Sequence, residues 1–139
     1  AQITQWIAAE GGNGQLKEER ALLQHSLDDV AAIVTTMIND LGSAVPPSDA
    51  RNVYKVGLNT TRLLMVLGDV ICAWLLLRGA EVALNRLNEE LRPGEKAFYE
   101  GKVASGRWFA RTVLPKLAAE RAIAEATDLA VMDLDEAAF

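Results

Sequence analysis

Leu63-Leu64-Met65-Val66-Leu67-Gly68-Asp69-Val70-Ile71-Cys72-Ala73-Trp74-Leu75-Leu76-Leu77 is the most apolar stretch of the chain, bounded by Arg62 and Arg78 and interrupted only by Asp69. Fifteen residues fall short of the ~20 that a spanning helix needs, and a carboxylate at mid-depth costs about 3 kcal/mol. No alternation of apolar and polar residues marks it as a strand. It therefore reads as the buried core helix of a soluble protein, with no transmembrane segment. Upstream, Ser48 is an expected N-cap, with Asp49 placed where negative charge suits the helix dipole. Helical character runs from there to about Leu91. Some 40 residues at 1.5 Å each make about 60 Å, long for a small domain, so a bend is expected near Gly57 or at Asn59-Thr60-Thr61.

Three glycines inside this helix need a reason, since each costs about 1 kcal/mol against alanine. Gly57, Gly68 and Gly79 are spaced by eleven residues, close to three whole turns, and Thr61, Cys72 and Ala83 follow them by four. The spacing predicts one groove of small residues where another helix approaches closely, with Gly101 and Ser105 as small positions on the next long helix. A groove for an acyl chain is the functional alternative; helix packing is the simpler one.

The flanking segments are helical as well. From Gln15 to Leu41, Leu16, Leu23, Leu27, Val30, Val34, Met37 and Leu41 recur along one stripe. Gly42 is an expected C-cap, and Val45-Pro46-Pro47 forces an extended connection. After the Arg92-Pro93-Gly94 turn, a third long helix is expected over Glu95 to Leu114, with Tyr99, Val103, Gly106, Ala110 and Val113 on one face. Pro115 opens or kinks a further helical segment, Lys116 to Ala126, with Leu117 and Ile123 inward and Glu120 and Arg121 in solvent. The tail, Asp128 to Phe139, is acidic and should pack one short turn through Leu129, Met132 and Leu134. Residues 1–14 form an N-terminal segment, with a short amphipathic helix over Ile3 to Ala9 and a flexible break at Gly11-Gly12-Asn13-Gly14. Residues 15–139 form an all-α, up-down bundle of three long helices plus short terminal ones.

The glycine-rich break lacks a preceding strand and either phosphate-binding fingerprint, so it reads as a linker. A net charge of -5 argues against a nucleic-acid surface. The single cysteine, Cys72, permits no internal disulfide and suits a reducing, cytoplasmic setting. No signal peptide opens the chain, and a first residue other than Met points to processing or to a piece of a longer polypeptide. His25 is the sole histidine, which rules out two-histidine zinc and di-iron motifs. Ser26 adjoins it and cannot face it productively, and Asp28 and Asp29 read as a surface cluster. Asp69 either lies on a solvated stripe with Arg51, Lys55 and Arg62 or pairs with Arg107 or Lys102.

Phe98-Tyr99-Glu100-Gly101-Lys102-Val103-Ala104-Ser105-Gly106-Arg107-Trp108-Phe109-Ala110-Arg111-Thr112-Val113-Leu114-Pro115 resembles the closing segment of a bacterial subgroup of acyl-CoA dehydrogenases with an extra C-terminal helical domain. The apolar helix around Leu67-Gly68 and Ala73-Trp74-Leu75 and the tail from Leu129 to Phe139 fit the same group. The resemblance implies a parent enzyme that binds FAD and oxidises the Cα–Cβ bond of acyl-CoA thioesters in fatty-acid metabolism. Its flavin and glutamate base are expected in upstream domains, with neither cofactor nor catalytic residue in this segment; Glu95, Glu100 and Glu120 have no claim to the base. The implied role is architectural and dimer-stabilising, through contact with those upstream domains and in a homodimer. Lys102 and Arg107, matching the motif, are candidates for an interdomain or CoA-phosphate contact, with packing and surface ion pairs as the plainer role. The alternative is a stand-alone helical module for protein interaction or acyl-chain binding.

Overall fold

A computed structural model describes residues 2–9, 11 and 14–138. Gly12 and Asn13 lie outside the described residues, so the expected flexible break is only partly within them, as is the end of the tail at Phe139. Among the described residues the regular structure is entirely helical: α1 (Gln2–Ala8), α2 (Lys17–Gly42), α3 (Val53–Arg86), α4 (Glu95–Thr112) and α5 (Leu117–Glu125), with short 3-10 turns between and after them. α2 packs on α3 and α3 on α4, each pair joined by a short connection, which gives the up-down order. α1 lies against α2, with Ile3, Trp6 and Ile7 at the edge of the core.

The 3-10 turn Leu114–Lys116 carries Pro115 and redirects the chain. As a result α4 covers the second half of α3, while α5 crosses mainly onto α2. Gly94 precedes α4 at φ +89, a conformation that L side chains rarely adopt. The core runs through Leu16, Leu23 and Ile33 of the α2 side, Val66, Val70, Ala73 and Leu77 of α3, and Ala110, Leu114 and Leu117 beyond.

Several expectations change. α3 does not break near Gly57 or Asn59. Asn59 is buried, and its amide donates to Lys55 O at 3.1 Å and Thr127 Oγ1 at 3.0 Å while its Oδ1 accepts from Arg62 Nε at 3.1 Å. A fully bonded amide has no reason to open the helix. The cap before α3 is Asp49 rather than Ser48: its carboxylate accepts from Arg51 N at 2.9 Å, ahead of the 3-10 turn Ala50–Asn52. Gly42 closes α2 from within and Ser43 follows as the cap. Leu41 and Ile123 point outward, and Ala124 takes the inward place beside Leu117. The tail makes 3-10 turns with Val131, Met132 and Leu134 exposed, rather than a packed turn; Leu129 alone is half-buried.

The largest change concerns α3 itself. Of its most apolar eighteen-residue window only 28% is buried. By length and composition it passes the test for a membrane-crossing helix, yet one of its faces is committed to the core. The expected fully buried helix is buried on one side only.

Candidate functional site

Polar chemistry concentrates where the start of α2 meets α4 and α3. Glu18 and Glu19 occupy the first turn of α2, and Arg111 the last turn of α4, each the sign that its helix end favours. Glu19 is buried, and its Oε1 lies 2.7 Å from Arg111 Nη2 and 3.8 Å from Arg107 Nε. Arg111 also reaches Glu18 at 2.8 Å. The next residue, the buried Arg20, stacks its guanidinium 3.7 Å from the Trp6 ring centroid and pairs with Glu81 of α3 at 3.2 Å. Its Nη2 donates to Gly11 O at 3.2 Å, and Nη1 donates to Trp6 O. These residues pin α1, α2, α3 and α4 together at one end of the bundle.

Arg107, a candidate for phosphate contact, is largely engaged there. Its Nη2 donates to Gln15 O at 2.8 Å, and its Nε faces Glu19. Lys102 is exposed with Nζ 5.3 Å from the Phe98 ring centroid. Five residues apart on α4, the two project about 140° from each other around the helix, so they do not form a joint cation cluster.

Asp69 pairs with neither of them, and it is not a free solvated group. It is half-buried in an open groove of about 320 Å³ between α3 and the start of α5, together with Arg62, Lys116 and Glu120. The stripe expected around it is divided among separate partners: Arg51 with Asp49 and Asp133, Lys55 with Asp40, and Arg62 with Glu120. Glu120 and Arg121 are half-buried rather than solvated, Arg121 bridging Asp29 at 3.4 Å and Glu125 at 2.7 Å.

The close helix contact exists, but at another glycine. A Cβ on Gly106 of α4 would meet Leu76 O at 3.0 Å and Ala80 Cβ at 3.1 Å. At Gly57, Gly68, Gly79 and Gly101 the same atom would meet nothing within 4 Å, and Cys72 is exposed. Ser105 is exposed too, its hydroxyl donating to Gly101 O at 2.8 Å. The expected groove therefore does not receive another helix of this chain. The core face of α3 is Val66, Val70, Ala73, Leu77 and Ala80, and the eleven-residue glycine line sits roughly opposite it. Only Ala83 of the small set lies inward.

That outer face of α3 is the chief unpartnered surface. Leu64, Ile71, Leu75 and Val82 are each about half exposed or more, and Trp108 of α4 is 64% exposed beside an open apolar groove lined by Leu76, Ala104, Ser105 and Phe109. Among the described residues no group of three or more His, Cys, Asp or Glu is placed to hold a metal ion. His25 is exposed; Asp29 is spent on Arg121, and Asp28 accepts from the Gln24 amide at 2.9 Å. Shifted ionisation falls at the surface: the Arg51 guanidinium and backbone N–H hold the Asp49 carboxyl below the usual carboxylate range.

Glu19, Arg20, Ser26 and Asn59 are the buried polar residues that the apolar periodicity passed over. The signal was present: Leu16 and Leu23 are seven apart, and Glu19 and Arg20 occupy the intervening stripe positions.

The family model described as acetyl-CoA dehydrogenase C-terminal like matches residues 1–135. A curated relative, the broad-specificity linear acyl-CoA dehydrogenase FadE5 of Mycobacterium tuberculosis (strain ATCC 25618 / H37Rv), is 44% identical over 138 residues. The alignment covers 99% of this chain and 22% of that protein, so the chain spans about a fifth of the length of the curated relative it matches.

Proposed function

The chain belongs to the family of acyl-CoA dehydrogenase C-terminal domains, and from that premise we propose that it is the helical C-terminal domain of an FAD-dependent acyl-CoA dehydrogenase, acting as framework and dimer support. The observation that carries this reading is the outer face of α3, apolar over most of its length and without a partner among the described residues. A monomer rarely leaves an apolar patch above a few hundred Å² in water. Within a parent enzyme, the remaining domains and a second subunit supply the cover.

The family implies FAD, and the surroundings here do not fit one. A flavin dinucleotide needs donors or cations for its pyrophosphate together with a deep seat for its ring. The apolar groove beside Trp108 is open and has Ser105 as its only hydroxyl residue, already bonded to Gly101 O. Beside it on α4, Arg107 and Arg111 are engaged with Gln15, Glu18 and Glu19. We therefore place the flavin seat, the base and the acyl-chain specificity in the rest of the parent polypeptide, and the parent in the cytoplasm.

The test compares the parent polypeptide with and without this segment. With the segment, FAD is retained, acyl-CoA is dehydrogenated and the enzyme sediments as a dimer. Deleting it lowers the dimer fraction and exposes apolar surface to a hydrophobic dye. Separately, the 139-residue chain titrated with FAD and acyl-CoA gives neither stoichiometric flavin nor turnover. Stoichiometric flavin on the chain alone, or an unchanged dimer after deletion, contradicts the proposal.

A further inference from the structure

The outer face of α3 carries an internal symmetry that selects its partner. Gly57, Gly68 and Gly79 repeat every eleven residues, and eleven residues fall within about 20° of three whole turns, so the three stay in line over about 33 Å. Gly68 is the midpoint of that line. Reflecting the sequence about Gly68 sets Gly57 against Gly79, Leu64 against Cys72, and Leu75 against Thr61. In these pairs a large side chain meets a small one, with Ile71 against Met65 at the flank of the strip, and the glycines meet each other at the centre and at both ends.

We propose that this face pairs with the same face of a second copy of the chain, α3 antiparallel to α3, with the two-fold axis passing beside Gly68. Such an interface is isologous: what residue 68+k of one copy offers, residue 68−k of the other receives, so the same large-on-small match occurs on both sides of the axis. All three glycines are open to close approach, since nothing among the described residues lies within 4 Å of a Cβ built on any of them. Leu64 at 67% exposure and Leu75 at 51% are free to act as knobs. No acidic residue lies on the strip, and Asp69 is turned toward Lys116 and Glu120 at its margin. Together with their neighbours, the large apolar side chains of the outward half of α3 expose on the order of 800 Å², the share each partner gives to a standard interface.

The pairing rests on the dimer-supporting role proposed above, and engineered cysteines distinguish the two. In a Cys72→Ser background, Gly68→Cys brings two thiols together at the axis, within the ~4.4–6.8 Å Cα separation that a disulfide spans. Gly57→Cys alone leaves its thiols about 33 Å apart across the axis and links only when mixed with Gly79→Cys. Under mild oxidation of the 139-residue chain, the expected result is covalent dimer for Gly68→Cys, none for Gly57→Cys or Gly79→Cys alone, and linked product from their mixture. Linking of every variant to itself indicates a parallel pair and overturns the inference. A dimer by sedimentation that never links at position 68 overturns this geometry while leaving the dimer role standing. A monomer of 15.1 kDa throughout overturns the pairing, and the dimer fraction of the parent enzyme with and without this segment then decides the wider role. Leu64→Asp in the otherwise native chain gives a second readout: full helicity by circular dichroism with loss of the ~30 kDa species expected from doubling the chain mass. Retention of that species contradicts the pairing.

Discussion

The two sides of α3 have nearly the same composition and opposite fates. On the inner side Val66, Val70, Ala73, Leu77 and Ala80 are almost wholly buried, and α4 comes so close at Gly106 that a methyl group would press on a backbone carbonyl. On the outer side leucines, isoleucine and valine alternate with glycines at which a Cβ would meet nothing among the described residues. Apolar content therefore does not mark a core. The core of this bundle is closed at its ends by bonded polar side chains, Glu19, Arg20 and Arg111 at one end and Asn59 and Arg62 at the other.

Substitutions break or sharpen this contrast. The largest expected effect is at Leu77, fully buried: Leu77→Ala should cost about 3 kcal/mol of unfolding free energy. Leu75→Ala, two residues earlier and half exposed, should cost under ~1 kcal/mol in the monomer. Urea denaturation of both variants at a concentration below dimer formation checks the pair, and equal losses would erase the distinction between the faces. Next comes Glu19→Ala, which leaves Arg111 and Arg107 without their buried acceptor; a loss of about 2 kcal/mol is expected, against under ~0.5 kcal/mol for Glu18→Ala at the exposed partner. Smaller still is the glycine pair. Gly106→Ala should destabilise by about 1 kcal/mol because Leu76 O is backbone and cannot swing aside, whereas Gly68→Ala should stabilise the monomer by about 0.5–1 kcal/mol through helix propensity. Opposite shifts in melting temperature are the readout.

The smallest effect is a pH dependence at the cap of the 3-10 turn ahead of α3. Asp49 has a folded pKa below its unfolded one, chiefly through its side-chain hydrogen bond with Arg51. Its contribution is thus complete above the unfolded carboxylate pKa, about 4, and is lost as pH falls through the lower folded value. Asp49→Asn should flatten that acid limb slightly and leave the pH dependence near neutrality unchanged. A limb identical to that of the native chain removes Asp49 from the account.

The helices, their order and the α4 face through Tyr99, Val103, Gly106 and Ala110 were legible in the sequence, because a 3.6-residue period registers burial on one side. α3 was not fully legible, for it is apolar nearly all round and period alone does not say which side is covered. The glycine line predicted a close helix contact that the described residues do not place there; Gly106, a single glycine outside any repeat, holds the contact instead. The engagement of Arg107 was equally hidden, since Gln15 O and Glu19 lie 92 and 88 residues away in sequence. Asn59 misled by type: its amide is a helix breaker only when no tertiary partner satisfies it.

The most direct test of the central claim is the reactivity of Cys72, which lies on the outer face of α3. A thiol reagent applied to the dilute chain and to the assembled parent enzyme, with the modified peptide quantified by mass, reads the cover of that face. Fast labelling in the dilute chain and strong protection in the assembly are expected; equal labelling in both would mean that the apolar face of α3 faces water in the working enzyme, and the account would fall.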